Sequence, residues 1–189
     1  SNIALKINVP WKNFNGIGFC ISKKQPDYFE KKNLLVSAGK DGSDDKLIKD
    51  LVTYFSANKP SNINSIFLEP RMFNESLPEY FKKADFTVEM YKSVLIAVIR
   101  PGLGTITDCL NHGIYILSSA NFKNKELSEN AFNLKKLGLG DVFRNILQLK
   151  DLINSFKNFK ANFKQNLTSV DFHGTEQFGD ILNKLHSEK

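Results

Sequence analysis

The chain has 189 residues, 41% of them apolar and 24% charged, and its 26 basic and 20 acidic residues leave a formal net charge of +6. These proportions fit one domain with a buried core and exclude intrinsic disorder, a collagen-like repeat and a coiled coil. The longest apolar run, Val94 to Ile99, is far short of the roughly 18 to 20 residues that span a bilayer, and two cysteines, Cys20 and Cys109, are too few for a disulfide scaffold.

A reducing cytoplasm is the expected setting. The start at Ser1-Asn2 lacks a methionine and lacks the charged-then-apolar layout of a signal peptide. It reads as a cloning remnant, so the native polypeptide is expected to extend upstream.

Residues 1–32 hold Pro10, Trp11, Gly16, Gly18 and Pro26 around one strand candidate, Ile17 to Ile21, and read as a lead-in or interdomain segment. From Asn33 onward, short β-rich apolar runs alternate with amphipathic helical patterns, the signature of βαβ units around a parallel sheet. Leu34 to Ala38 is a buried-strand pattern. It leads through the polar turn Gly39-Lys40-Asp41-Gly42-Ser43 into a helix from Asp44 that sets Leu47, Ile48, Leu51, Val52 and Phe55 on one side and is closed by Pro60. Ser65 to Leu68 is the next strand. A helical stretch with Leu77, Tyr80 and Phe81 follows, and then two strand-like runs, Phe86 to Met90 and Val94 to Ile99. After Arg100-Pro101-Gly102-Leu103-Gly104, Thr105 is expected to open a helix that runs to His112, with Gly113 as its C-cap glycine. Ile114 to Leu117 is a strand with the loop Ser118 to Lys123 at its carboxyl end, and Glu126 to Leu137 is a helix stopped by Gly138-Leu139-Gly140. Val142, Phe143, Ile146, Leu149, Leu152, Ile153, Phe156, Phe159 and Phe163 recur at three and four residues, one buried face of a long helix whose solvated face carries Lys150, Lys157, Lys160 and Lys164. A short helix over Thr175 to Leu185 ends the chain.

The expected architecture is therefore α/β, a Rossmann-like open parallel sheet with helices on both faces and a long C-terminal helix. It divides into a lead-in over 1–32, a binding core over 33–140 and C-terminal helices over 141–189 that pack on the core.

Nucleic acid is not the expected partner: arginine appears only at Arg71, Arg100 and Arg144, and the lysines are scattered. The basic balance favours contact with an anionic acceptor or, peripherally, a membrane surface. His173 and His186 have no cysteine or carboxylate at ligand spacing, so no metal site is expected. Cys109 reads as packed and His112 as a helix C-terminal residue favoured by the dipole.

Chemistry in such a sheet belongs outside the carboxyl ends of its strands, with anions set against helix N-termini. Two turns qualify. Gly39 to Ser43 reads either as a phosphate or sugar loop, with Ser43 as helix N-cap, or as an ordinary strand-to-helix turn; it lacks the Gly-Lys-Ser/Thr of a Walker loop. Arg100 to Asp108 is more specific. Pro101 fixes the chain, Gly102 and Gly104 clear side chains from the mouth of the sheet, and Asp108 lies about one turn into the helix, within reach of ribose hydroxyls.

The run from Val94 to Leu117 has a strand, the turn Gly102-Leu103-Gly104-Thr105, an acid three residues after the threonine, and Gly113 before the next strand. With Glu126 to Gly140, where Glu126 precedes Asn130-Ala131, it resembles the donor-binding domain of GT-B glycosyltransferases. Within these it is most similar to the family 28 C-terminal domain and the peptidoglycan UDP-N-acetylglucosaminyltransferases. The resemblance covers most of Leu34 to Gly140. It implies that Asp108 holds the donor ribose, that Gly102, Leu103, Gly104 and Thr105 face the diphosphate, that Glu126 contacts the donor sugar, and that Gly39 and Ser43 belong to the first glycine-rich loop. It also implies hexosyl transfer from a nucleotide sugar, a UDP-sugar by expectation, without a cofactor or metal. The acceptor, a glycan, lipid or small molecule, and the catalytic base would come from an N-terminal domain absent from this chain, which alone would be inactive. Departures are Lys40 and Asp41 in the first loop, Leu127 after Glu126, and a short connection from Met90 to Val94. A nucleotide-sugar hydrolase of related fold and a non-catalytic donor-binding partner subunit are the alternatives.

Overall fold

The computed structural model describes Phe19 and residues 31–38, 45–120 and 124–187. Its strands are β1 (Asn33–Ser37), β2 (Ile66–Leu68), β3 (Phe81–Lys83), β4 (Val94–Ile99), β5 (Tyr115–Ser119) and β6 (Gly140–Phe143). Its helices are α1 (Asp45–Ala57), α2 (Val88–Ser93), α3 (Leu103–Asn111), α4 (Lys125–Lys136), α5 (Ile146–Leu167) and α6 (Gly174–Ser187). The strands form a parallel sheet in the order β3-β2-β1-β4-β5-β6. This is the expected Rossmann-like arrangement.

The middle of the sheet is where the sequence is most apolar. Leu34, Leu35, Val94, Ile96 and Ala97 have no exposed surface, and Leu35 stands opposite Ala97 across the β1–β4 pair. Such strands are covered on both sides. From β1 the chain moves outward through α1 to β2, whereas from β4 it moves the other way through α3 to β5. Right-handed crossovers taken in opposite directions place α1 on one face and α3 on the other.

Three expectations change. The stretch through Leu77 and Tyr80 is a set of turns leading into β3, not a helix. Phe81 N–H donates to the Pro78 carbonyl at 2.8 Å, and the Tyr80 hydroxyl bonds the carbonyls of Phe55 and Ser56 at 2.8 and 2.9 Å. Tyr80 is thereby tied to the end of α1, and Phe81 pairs with Ile66. The run Phe86 to Met90 contributes to α2 and not to a strand, because Thr87 accepts from Met90 N–H at 3.2 Å as an N-cap. Val142 and Phe143 belong to the edge strand β6, not to the buried face of the long helix. Asn145 caps α5 by accepting from Gln148 N–H at 2.9 Å, which fixes the helix start at Ile146, four residues after Val142 where the apolar periodicity begins.

The rest of that face is as expected. Leu149, Ile153, Phe156 and Phe163 are buried, and Lys150, Lys157, Lys160 and Lys164 are exposed. Gly113 and Gly138 follow α3 and α4 with φ of 62° and 64°, the left-handed conformation that glycine adopts without steric cost. Of the strand expected over Ile17 to Ile21, only Phe19 is described; its N–H donates to Asp171 at 2.8 Å and its carbonyl accepts from Gly174 at 3.1 Å. Among the described residues no helix is long and apolar enough to cross a membrane.

Candidate functional site

β1 and β4 are neighbours whose following segments leave in opposite directions, so a crevice opens where their carboxyl ends diverge. A cleft of about 580 Å³ lies there, lined by Ser37, Glu69, Pro70, Arg71, Phe86, Tyr91, Thr105 and Asp108. Ser37 ends β1, Glu69 to Arg71 follow β2, Phe86 follows β3, Tyr91 is on α2, and Thr105 and Asp108 are on α3.

The α3 wall begins with a rigid turn. Gly102 N–H donates to the Arg100 carbonyl at 2.9 Å, and the buried Asn130 of α4 donates to the Pro101 carbonyl at 3.0 Å. Sequence spacing assigns Asn130 no role of its own, yet it fastens this turn. The helix starts at Leu103, two residues earlier than expected, because the bond from Ile106 N–H to the Gly102 carbonyl (2.9 Å) makes Gly102 the N-cap. Gly102 has no side chain with which to cap. The amides of Leu103, Gly104 and Thr105 are thus first-turn donors without acceptors inside the helix. Among the described residues, a Cβ added to Gly102 or Gly104 would meet nothing within 4 Å. Packing among the described residues does not call for glycine at either position.

Asp108 is further along α3. Loss of water around it raises its carboxyl above the ordinary value, and nearby His112 partly offsets the rise. His112 caps the other end of α3: its Nδ1 lies 2.8 Å from the Asp108 carbonyl, and its ring stacks on Tyr91 at 5.1 Å. Lys31 donates to the carbonyls of His112 and Gly113 at the negative end of the helix. Burial, the largest cause, pushes the Tyr91 hydroxyl up, and the Asp108 charge adds to it. Cys109 is buried, which pushes its thiol up as well, so it is packed as expected and is not an activated nucleophile.

The opposite wall has its own polar network. Glu69 is 4% exposed. Its Oε2 accepts from Ser37 Oγ at 2.9 Å and from Ala38 N–H at 2.8 Å, and its Oε1 is paired with Arg71 Nε. Phe86 closes the third side; it is 40% exposed and holds φ at 56°, a strained conformation for a bulky residue of the kind found at binding sites.

Of the residues singled out from sequence, Thr105 and Asp108 line the cleft, and Gly102, Leu103 and Gly104 lead directly into it. Glu126 does not line it: it is exposed on the first turn of α4, where Asn124 caps the helix. Gly39 and Ser43 lie outside the described residues. Glu69, Arg71, Phe86 and Tyr91 were not legible as site residues. The available signals were Arg71 as one of three arginines and an acid-proline-arginine run at the end of a strand. Among the described residues no group of three or more His, Cys, Asp or Glu is placed to hold a metal ion.

No family model matches the chain, and no curated protein does. Solved structures do. The calicheamicin glycosyltransferase CalG4 is 13% identical, with a TM-score of 0.65 over 89% of this chain and 47% of its own. The glycosyltransferase VinC, solved in complex with DTDP, is 17% identical with a TM-score of 0.57 over 90% of this chain and 45% of its own. MurG of Acinetobacter baumannii is 15% identical with a TM-score of 0.56 over 85% of this chain and 51% of its own. The chain thus spans about half the length of each. Over most of its residues it has the fold of one half of the GT-B glycosyltransferases.

Proposed function

We propose that this chain is the donor-binding half of a glycosyltransferase and holds a nucleoside diphosphate sugar, with UDP as the expected nucleotide. The observation that carries the reading is the open space over Gly102 and Gly104 at the start of α3, beside the crevice where such sheets bind ligands. A diphosphate against those amides, a ribose on Asp108 and a base toward Phe86 and Tyr91 use each part of the cleft once. The complex of VinC with DTDP supports the same ligand class. Sugar transfer would rely on amides and the helix dipole to neutralise the leaving diphosphate. The acceptor and the catalytic base are assigned to a second half outside this chain.

Gly104→Ala tests the reading. A methyl group there touches none of the described residues, and alanine favours a helix over glycine by roughly 0.5–1 kcal/mol, so the melting temperature should hold or rise. Isothermal titration with UDP should show at least about tenfold weaker binding, since the methyl group occupies the ligand's approach to the amides and a tenfold loss is 1.4 kcal/mol. Wild-type protein that binds no UDP, TDP or sugar conjugate of either would sink the reading.

A further inference from the structure

Resting on that donor reading, we infer that Arg71 reads the base: fixed by buried Glu69, it selects a base with a carbonyl at the edge remote from the ribose over one with an amino group there. The cleft has two unlike ends. Asp108 and Thr105 stand on the helix that follows β4, while Glu69 and Arg71 follow β2, two strand positions away across β1. Two strand spacings are about 10 Å. A nucleotide with its ribose on Asp108 and its ring against Phe86 therefore directs the far edge of its base toward the Glu69–Arg71 wall.

The chemistry of that wall decides what it accepts. A guanidinium carries donors and no acceptor. Uracil and thymine present O4 at the remote edge and guanine presents O6, whereas cytosine and adenine present amino donors, which a guanidinium cannot satisfy. Glu69 makes the arrangement rigid. Its carboxylate is nearly out of contact with water, so it needs its partners, and it has them on both oxygens: Ser37 and Ala38 on Oε2, Arg71 on Oε1. Binding Arg71 through Nε fixes the plane of the guanidinium relative to the end of β1. Glu69 is therefore a positioning residue and Arg71 the specificity-determining one.

UDP and CDP differ at that edge by one group and form the deciding pair. Titration of the wild-type chain is expected to favour UDP by on the order of 10- to 100-fold, the discrimination typical of a well-placed arginine contact. Arg71→Met should weaken UDP and bring the UDP/CDP ratio close to one. Arg71→Lys, which keeps the charge but loses the planar fork, and Glu69→Gln, which releases the guanidinium, should each reduce the ratio. The ratio is the readout because general loosening of the cleft weakens both nucleotides alike. Equal wild-type affinity for UDP and CDP, or a ratio unchanged in the Arg71 variants, overturns the assignment while leaving donor binding intact. If wild-type protein binds neither nucleotide, the donor reading itself fails and this inference fails with it.

Discussion

Asp108→Asn should lose most nucleotide affinity and melt at a higher temperature than the wild-type protein. The two effects share one cause. The cleft walls remove water from the Asp108 carboxyl and raise its pKa above the ordinary 3.8, so the folded chain holds a charge that it solvates poorly. With a bound ribose, the carboxylate accepts hydroxyl donors, and hydrogen bonds to a charged group are worth about 1.5–3 kcal/mol, on the order of a 10- to 150-fold change in affinity. Asparagine keeps the shape and removes the charge. Because the folded pKa exceeds the unfolded one, the folded state binds the extra proton between the two values, and the contribution of Asp108 to stability falls as pH rises through that interval. At neutral pH the destabilisation is fully present and the Asn variant escapes it; below pH 3.8 both forms are uncharged and the two melting temperatures should converge. Wild-type affinity should decline on acidification at a higher pH than an ordinary aspartate would give, and the affinity of the variant should be flat there. Melting curves and titrations at several pH values check each arm. A variant that binds as well as wild type, or that melts lower at neutral pH, contradicts the role given to this carboxylate.

Asp108 was legible in the sequence because the features that expose it are local. Val94 to Ile99 is an apolar run that fits a central strand, the next residues are a proline and two glycines, and the acid sits at a fixed helical offset from Thr105. The opposite wall was not legible, since nothing in the sequence near Glu69 says that β2 will lie beside β1. Only the strand order brings Glu69 Oε2 to Ser37, 32 residues away in the chain. Secondary structure failed for similar reasons. β3 is three residues long with only Phe81 buried, too short to show alternation, and its pairing with β2 forms it. The run Phe86-Thr87-Val88 has the β-rich composition of a strand, but Thr87 caps a helix there and the neighbouring sheet position is filled by Val94 onward. Glu126 is the reverse case: its offset from Asn130-Ala131 matches a family pattern, and the first turn of α4 leaves its side chain exposed, outside the described residues that line the cleft.

The largest loss of stability should come from Phe156→Ala, far from the cleft. α5 is 22 residues long, with four lysines and only Asp151 as an acid, so its own sequence gives it little reason to lie on the sheet except through its aromatic face. That face closes on one strand residue. Tyr115 of β5 has the rings of Phe156, Phe159 and Phe163 at 5.1, 5.2 and 5.2 Å, and Phe156 also meets Phe159 edge-on at 5.3 Å. Enclosure by these rings pushes the Tyr115 hydroxyl up, with the Asp141 charge adding to the effect. Phe156 is 2% exposed, so removing its ring leaves a cavity among groups that are each held by another ring. Phenylalanine-to-alanine changes at such sites cost about 3–5 kcal/mol, a large share of the roughly 5–15 kcal/mol that holds a domain together. For a chain of this length each kcal/mol lowers the melting temperature by about 2–4 °C, so a fall on the order of 10 °C is expected. Leu147 of the same helix is 68% exposed, and its replacement by alanine should be close to neutral. Equal melting temperatures for the two variants would mean that the aromatic cluster does not anchor α5. A fall confined to Phe156→Ala, with the UDP affinity of the surviving folded protein unchanged, would separate the anchoring of this helix from the work of the cleft.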